Sequence, residues 1–241
     1  MVKISKRLKT IAQYIPENSV LADIGSDHAY LPVFAVEKGL AKKVIAGEIA
    51  DGPYQSALSN VKEAGYGDVI RVRKGDGLSV IRNDDGVDCI TIAGMGGTLI
   101  VSILEQGKEK LKGVKRIILQ PNIAADTVRS WLINNNWELT GETIIQEDRH
   151  IYEILIAEPG DGSNPYSKEQ DKEIFFGPFL LKEKNSAFQT KWKNEYNKWK
   201  KIIRELENAV DHEEAMEKKN RLSKYIRWYE EEFTDEATKR Q

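Results

Sequence analysis

Between residue 20 and residue 157 the apolar positions of this chain change period repeatedly. Continuous apolar runs at 20 to 24, 44 to 49, 69 to 73, 88 to 93 and 115 to 120 alternate with stretches at 30 to 39, 53 to 64, 97 to 111 and 124 to 135, where apolar residues recur every three or four places. Short continuous runs suit strands buried on both faces, and the longer spacing suits helices that cover them. Their alternation predicts βαβ units and a doubly wound, mainly parallel sheet. Two further strand candidates, 137 to 146 and 150 to 157, follow with only the polar turn Glu147-Asp148-Arg149 between them, which adds a hairpin and makes the sheet mixed. Ahead of the sheet, Ile4, Leu8, Ile11, Ala12 and Ile15 mark a basic-faced helix over 3 to 15, closed by Pro16.

The pattern changes after Pro159-Gly160-Asp161-Gly162-Ser163-Asn164-Pro165, a run of turn formers almost without apolar groups. A domain boundary is expected here, with an α/β domain over 1 to 160 and a helical domain over 161 to 241. After an apolar segment at 174 to 181, Phe188, Trp192, Trp199, Leu206 and Val210 keep close to a heptad spacing, as do Leu222, Ile226, Tyr229 and Phe233. Two long helices paired as an antiparallel coiled coil, turning near Asp211 to Glu214, account for it.

Composition narrows the class only slightly. At 241 residues, 40% hydrophobic and 31% charged, the chain has material for one good core and a smaller appendage. Cys89 is the single cysteine, so an internal disulfide is impossible, and His28, His150 and His212 are scattered without the spacing of a metal site. No metal is expected, nor a membrane span, since no run approaches the ~20 apolar residues that crossing requires. The start, Met1-Val2-Lys3-Ile4-Ser5-Lys6-Arg7, lacks the apolar core of a secretion signal, and a reducing, cytoplasmic setting is expected. A net charge of -2 conceals an uneven distribution. Between 182 and 204, eight basic side chains face only Glu183 and Glu195. Lys191, Lys193, Lys198, Lys200, Lys201 and Arg204 form a basic stripe on a helix, and Lys3, Lys6, Arg7 and Lys9 a second patch; both are candidates for RNA phosphates. Trp192, Tyr196 and Trp199 interleave the stripe, either to stack on bases or to form the coiled-coil seam.

The chemistry is concentrated at the strand ends. Val20 to Asp23 leads into Ile24-Gly25-Ser26-Asp27-His28-Ala29-Tyr30, an acid-tipped strand entering a glycine turn and a helix. Such a turn presents backbone N–H groups to a ligand. Glu48 ends the second strand, about 20 residues beyond the turn, where a carboxylate accepts ribose hydroxyls. Asp76, between Gly75 and Gly77, ends the third and can accept from an exocyclic amine. Together they describe an adenosine pocket. A dinucleotide fold wants Gly-x-Gly-x-x-Gly, but Asp27 and Ala29 stand where its later glycines would be. Carboxylates at Asp23 and Asp27 repel a diphosphate and attract a sulfonium or an ammonium. S-adenosylmethionine carries both cations and no phosphate. The fourth strand runs into Gly94-Met95-Gly96-Gly97, bare backbone that allows close approach to a transferable methyl. Gln120-Pro121-Asn122 ends the fifth in two amides, suited either to the edge of a flipped base or to a plain turn. His28 either meets the cofactor carboxylate or substrate, or packs against backbone.

With these residues assembled, the chain closely resembles TrmK, the bacterial family of tRNA adenine-N1 methyltransferases acting at tRNA position 22. The resemblance rests on Leu21-Ala22-Asp23-Ile24-Gly25-Ser26-Asp27-His28-Ala29-Tyr30-Leu31-Pro32, Gly75-Asp76-Gly77-Leu78, Ala93-Gly94-Met95-Gly96-Gly97, Gln120-Pro121-Asn122 and the helical extension. It implies a class I, Rossmann-like methyltransferase domain followed by a coiled-coil domain, S-adenosyl-L-methionine as cofactor and tRNA as partner, with a monomer expected rather than a dimer. It carries over Asp23, Gly25, Asp27, His28, Glu48, Asp76, Gly94 and Met95 as pocket residues; Ser26, Ile49, Gly77 and Ala93 complete the expected cofactor set, and Asp27, Met95 and Asn122 are expected at the reacting atoms. The Gly-x-Gly pair of the wider superfamily is missing.

Overall fold

The computed structural model describes residues 3–206 and 212–238, and two compact units divide the chain, Met1–Lys182 and Glu183–Gln241. In the first unit seven strands form one sheet: β1 (Ser19–Ile24), β2 (Ala41–Glu48), β3 (Ile70–Lys74), β4 (Cys89–Gly96), β5 (Arg116–Ile123), β6 (Trp137–Glu147) and β7 (His150–Pro159), in the order β3-β2-β1-β4-β5-β7-β6. The pairs among β1 to β5 are parallel, and β7 runs antiparallel to both its neighbours, β5 and β6. The predicted hairpin is present, with its second strand inserted between the first and the sheet.

Alternation along the strands divides the core in two. Val20, Ala22 and Ile24 of β1, with Ile90 and Ile92 of β4, face one side, where α4 (Gly97–Gln106) and α5 (Ala125–Asn134) supply Ile100, Leu104, Val128 and Leu132. Leu21, Val44, Ala46 and Cys89 face the other, covered by Ile11 of α1 (Lys6–Ala12), Leu31 and Ala35 of α2 (Tyr30–Glu37) and Ala57 and Val61 of α3 (Asp51–Glu63). Helices on both faces explain why the central strands read as unbroken apolar runs. Chain order reverses between β1 and β4, and a crevice at the C-terminal ends of those strands is where an open α/β sheet binds its ligand.

Four boundaries differ from expectation. α4 stops at Gln106 instead of 111, and Lys108–Leu111 form a separate 3-10 turn after Gly107, where an added Cβ would come within 2.6 Å of the Leu78 side chain. β4 continues through the glycine edge to Gly96, and β5 through Pro121 and Asn122 to Ile123, with the pairing shifted between Ala93 and Met95 and again at Gly96. The domain boundary falls after Lys182, not at 160. The glycine-rich run is no free linker: a Cβ on Gly162 would press on the backbone of Ile133 in α5. Beyond it, α6 (Gln170–Phe176) buries Phe176, and Leu180, which opens the short α7 (Leu180–Glu183), is buried as well. A buried ion cluster fastens this segment. Arg129 of α5 pairs with Glu142 and Glu153, each at 2.6 Å, and donates to the carbonyl of Ile174 at 3.0 Å, while Glu142 accepts from the N–H of Phe179 at 3.1 Å.

In the second unit α8 (Ser186–Leu206) and α9 (His212–Thr238) pair along an aromatic seam. Phe188 stacks on Phe233, Tyr196 on Tyr229, and Trp199 meets Tyr225, with centroids 5.8, 4.4 and 5.6 Å apart. Partner numbers fall as α8 numbers rise, so the pair is antiparallel, as the heptads predict. Val210 and Asp211, at the expected turn, lie outside the described residues.

Candidate active site

Local backbone builds the turn after β1. Gly25 (φ +69°), Asp27 (φ +52°) and Ala29 (φ +55°) all adopt left-handed conformations, so the chain leaves the strand in tight steps before α2 starts. That geometry costs energy at Asp27 and Ala29 and persists because the surroundings hold it. Glu48 at the tip of β2 accepts the N–H of Asp27, the amide of Asn60 donates to the His28 carbonyl at 2.9 Å, and the N–H groups of Gly25 and Ser26 donate to the carbonyl of Gly47.

The structure separates the predicted acids into two classes. Asp23 is only 4% exposed and Glu48 only 6%. Asp23 accepts from Ser26 Oγ and Thr91 Oγ1, both at 2.6 Å. Burial holds its carboxyl above the ordinary value, and those two hydrogen bonds pull it back. Burial likewise raises Glu48, opposed by the Asp27 N–H and reinforced by the neighbouring charges of Asp27 and Asp23. Two partly desolvated acids at adjoining strand ends favour a cation, which would relieve both. Asp27 and Asp76, by contrast, are exposed. The Asp27 carboxylate lies 3.7 Å from His28 Nε2, and the His28 ring stacks on exposed Tyr30. Ile49, just past Glu48, holds a large apolar side chain 61% exposed. Asp76 and Gly77 help line a cavity of about 340 Å³ that they share with Leu78, Ile103 and Gln106.

On the opposite side of the crevice Met95 reaches across to the glycine turn, and a Cβ on Gly25 would overlap its Cε. Gly94 (φ +79°) is the bulged residue of β4, and two amides of β5 take up its backbone groups. Its N–H donates to Gln120 Oε1 at 3.1 Å, and its carbonyl accepts from Asn122 Nδ2 at 2.8 Å. Asn122 therefore adjoins the Gly94 bulge, with much of its amide engaged within the protein. Gly97 has a packing reason to be glycine, because a Cβ there would collide with the carbonyl of Ala124.

Thr91 lies outside the expected site set, and Gln120, expected either at the edge of a flipped base or in a plain turn, is fully buried. A lone Thr in the apolar run Ile90-Thr91-Ile92 is the available signal, and the register pairs Thr91 directly with Asp23. Arg7, expected on a phosphate-binding patch, turns inward to donate to Gln120 Oε1 at 2.6 Å. Lys3 and Lys9 are exposed, and Lys6 Nζ donates to the Gln146 carbonyl at 3.0 Å. On the second unit Lys193, Lys198, Lys200, Lys201 and Arg204 are exposed, and Lys191 lies over the Trp192 ring at 4.6 Å. Trp192 and Trp199 are 4% and 6% exposed, so they belong to the seam and offer no stacking platform.

The strand order with its antiparallel seventh strand, and a glycine turn flanked by buried acids with no phosphate cradle, define a class I methyltransferase. The model of the TrmK family, tRNA (adenine(22)-N(1))-methyltransferase, matches residues 21–231. The chain belongs to this family. It is 48% identical over 223 residues to the tRNA (adenine(22)-N(1))-methyltransferase of Bacillus subtilis, covering 92% of this chain and 93% of that protein. The crystal structure of the Bacillus subtilis m1A22 tRNA methyltransferase TrmK superposes with a TM-score of 0.91 at 46% identity, over 96% of this chain and 99% of that one. A Streptococcus pneumoniae protein assigned to the same tRNA modification, solved in complex with S-adenosyl-L-methionine, gives a TM-score of 0.80 at 41% identity, over 95% and 99%.

Proposed function

We infer that this chain transfers a methyl group from S-adenosyl-L-methionine to N1 of adenine 22 in tRNA. The observation that carries the reading is the pair of buried acids, Asp23 and Glu48, meeting at the Gly25 to Asp27 turn opposite the Gly94 to Met95 edge, in a chain that matches one family from residue 21 to residue 231. The site fits the cofactor chemically. Gly25 leaves bare backbone where a side chain would fill the crevice, and the carboxylates match cations and hydroxyls while opposing phosphate. When bound, the cofactor supplies an electrophilic methyl on a sulfonium that leaves as a neutral thioether.

The protein's part is to bind, align and exclude water. Glu48 has a second oxygen for ribose hydroxyls, and Ile49 offers an apolar wall to an adenine ring. Asp76 takes the exocyclic amine, with Gly77 leaving room beside it. Asp23 and Asp27 place negative charge beside the sulfonium and the ammonium, with Ser26 and His28 flanking them, while Ala93, Gly94 and Met95 border the methyl. Adenine N1 already carries a lone pair, so no base has to remove a proton before attack. N1 of a paired adenine is blocked, and the target nucleotide has to leave its stack first. Positive charge passes from sulfur to the methylated base, and Asp27 is the exposed carboxylate at the turn able to stabilise it.

The basic stripe on α8 and Lys3, Lys6 and Lys9 on the first unit supply phosphate contacts. A tRNA substrate assigns the enzyme to the cytoplasm, and among the described residues no helix is long and apolar enough to cross a membrane. Incubation with methyl-labelled cofactor and unmodified tRNA, followed by nuclease digestion and mass spectrometry, tests the whole reading. Label in 1-methyladenosine at position 22 is expected, and label in any other nucleoside would defeat it. Asp27→Ala is expected to lower the rate more than the cofactor affinity.

A further inference from the structure

We propose that Arg7 is a positioning residue for methyl transfer, acting through Gln120 on the Gly94 to Met95 edge; the inference rests on reading that edge as the side of the site where the methyl is delivered.

Arg7 is held from both ends. Its backbone N–H donates to Glu147 Oε2 at 3.1 Å, and Glu147 Oε1 takes the N–H of Lys6, so the end of β6 caps the start of α1. Its guanidinium lies over the Tyr152 ring at 5.3 Å, and Nη1 donates to Gln120 Oε1 at 2.6 Å. Gln120 is fully buried. From it the hydrogen bonds form a ring around the bulge: Oε1 also accepts the Gly94 N–H, Nε2 donates to Asn122 Oδ1 at 3.0 Å, and Asn122 Nδ2 donates back to the Gly94 carbonyl at 2.8 Å.

A buried amide can be turned end for end at little steric cost, because its oxygen and its NH₂ group have nearly the same shape. Turned, Gln120 would aim N–H groups at the Gly94 N–H and leave an acceptor facing Asn122 Oδ1. The Arg7 cation at Oε1 forbids that orientation, since a guanidinium has only donors to offer. Arg7 thereby reinforces the orientation that the Gly94 N–H asks of Gln120, Gln120 in turn orients Asn122, and the two amides hold Gly94 in its left-handed bulge. The contact is close enough that a Cβ on Gly94 would come within 3.0 Å of Arg7 Nη1. Met95, next along the strand, reaches the Gly25 turn from this platform. Displacement of a reacting edge by about 1 Å can cost a hundredfold in rate, so a residue that never touches the substrate can govern turnover.

Steady-state kinetics of the full chain on unmodified tRNA test this, using wild type, Arg7→Met, Arg7→Lys, Gln120→Ala and the Arg7→Met/Gln120→Ala double variant, with affinity for S-adenosylhomocysteine measured by calorimetry. Arg7→Met is expected to lower kcat by about 10- to 100-fold, with KM for tRNA and product affinity within about twofold of wild type. Gln120→Ala should match it, the double variant should be no slower than the worse single, and Arg7→Lys should recover part of the loss. Unchanged kcat in Arg7→Met overturns the proposal. So does a salt-dependent rise in KM for tRNA, which would make Arg7 a phosphate contact, or weakened product affinity, which would make it a cofactor contact, or losses that multiply in the double variant. If Arg7→Met fails to fold, Arg7→Lys, Gln120→Ala and the double variant that combines them test the same coupling, with multiplied losses again overturning it. Wild-type protein that leaves adenine 22 unmethylated would instead overturn the reading of the function.

Discussion

Met95 and Gly25 meet across the crevice between β4 and β1, so close that a single methyl group added to the glycine would overlap the methionine Cε. The contact joins the two halves of the site without any hydrogen bond. Gly25→Ala must both adopt φ near +69° and displace Met95. The expected outcome is a loss of about 1–3 kcal/mol of stability in denaturant titration together with loss of cofactor binding. Gly25→Ala that binds S-adenosylhomocysteine as wild type does would refute this geometry.

Asp23 separates stability from function. Burial raises its carboxyl above the ordinary value, so the folded state holds the proton more tightly than the unfolded chain does. That preference favours folding below the unfolded value and is lost as pH rises through the folded one, above which burial of the charged form opposes folding. Asp23→Asn, which cannot ionise, is therefore expected to gain in melting temperature relative to wild type as pH rises from 4 to 9, while cofactor affinity falls at least about tenfold. Calorimetric melting across that range checks it.

Arg129 is the opposite case. Removing it leaves Glu142 and Glu153 buried without their shared cation, and the carbonyl of Ile174 without its donor. Arg129→Ala should cost about 3–5 kcal/mol. Limited proteolysis is expected to cut first between 161 and 182 in this variant, because the cluster is what fastens that segment.

Cys89 lies fully buried at the start of β4, and burial pushes its thiol up to about 12. The native protein should resist alkylation by iodoacetamide at pH 8 and react fully in denaturant. Rapid native labelling, read by mass spectrometry, would mean that the strand opens.

The basic stripe should act by charge alone. Lys193, Lys200 and Arg204 share one side of α8 by their spacing, and replacing all three by alanine should weaken tRNA binding and reduce its salt dependence by about three phosphate contacts. Affinity for S-adenosylhomocysteine should not move. A salt slope equal to that of wild type would remove these residues from the interface.

Local periodicity was enough for the succession of strands and helices, for the hairpin and for the antiparallel aromatic pair, because each depends on spacing within one segment. The acids at the ends of β1, β2 and β3 were legible for the same reason: a strand end is a local event. What tertiary structure alone decided was where each polar group spends its hydrogen bonds. Nothing within Gly94-Met95-Gly96 announces a bulge, since the amides that satisfy it belong to β5, more than two dozen residues away. Nothing in Lys6-Arg7 says that the first side chain stays at the surface and the second turns inward to Gln120, because both are long cations at exposed-looking positions. Likewise Pro159 to Pro165 has the composition of a free linker, and only the burial of Phe176 and the ions around Arg129 draw the following segment into the first unit. Residue type determines what a group can donate or accept, and the partner comes from a strand or helix far away in the chain.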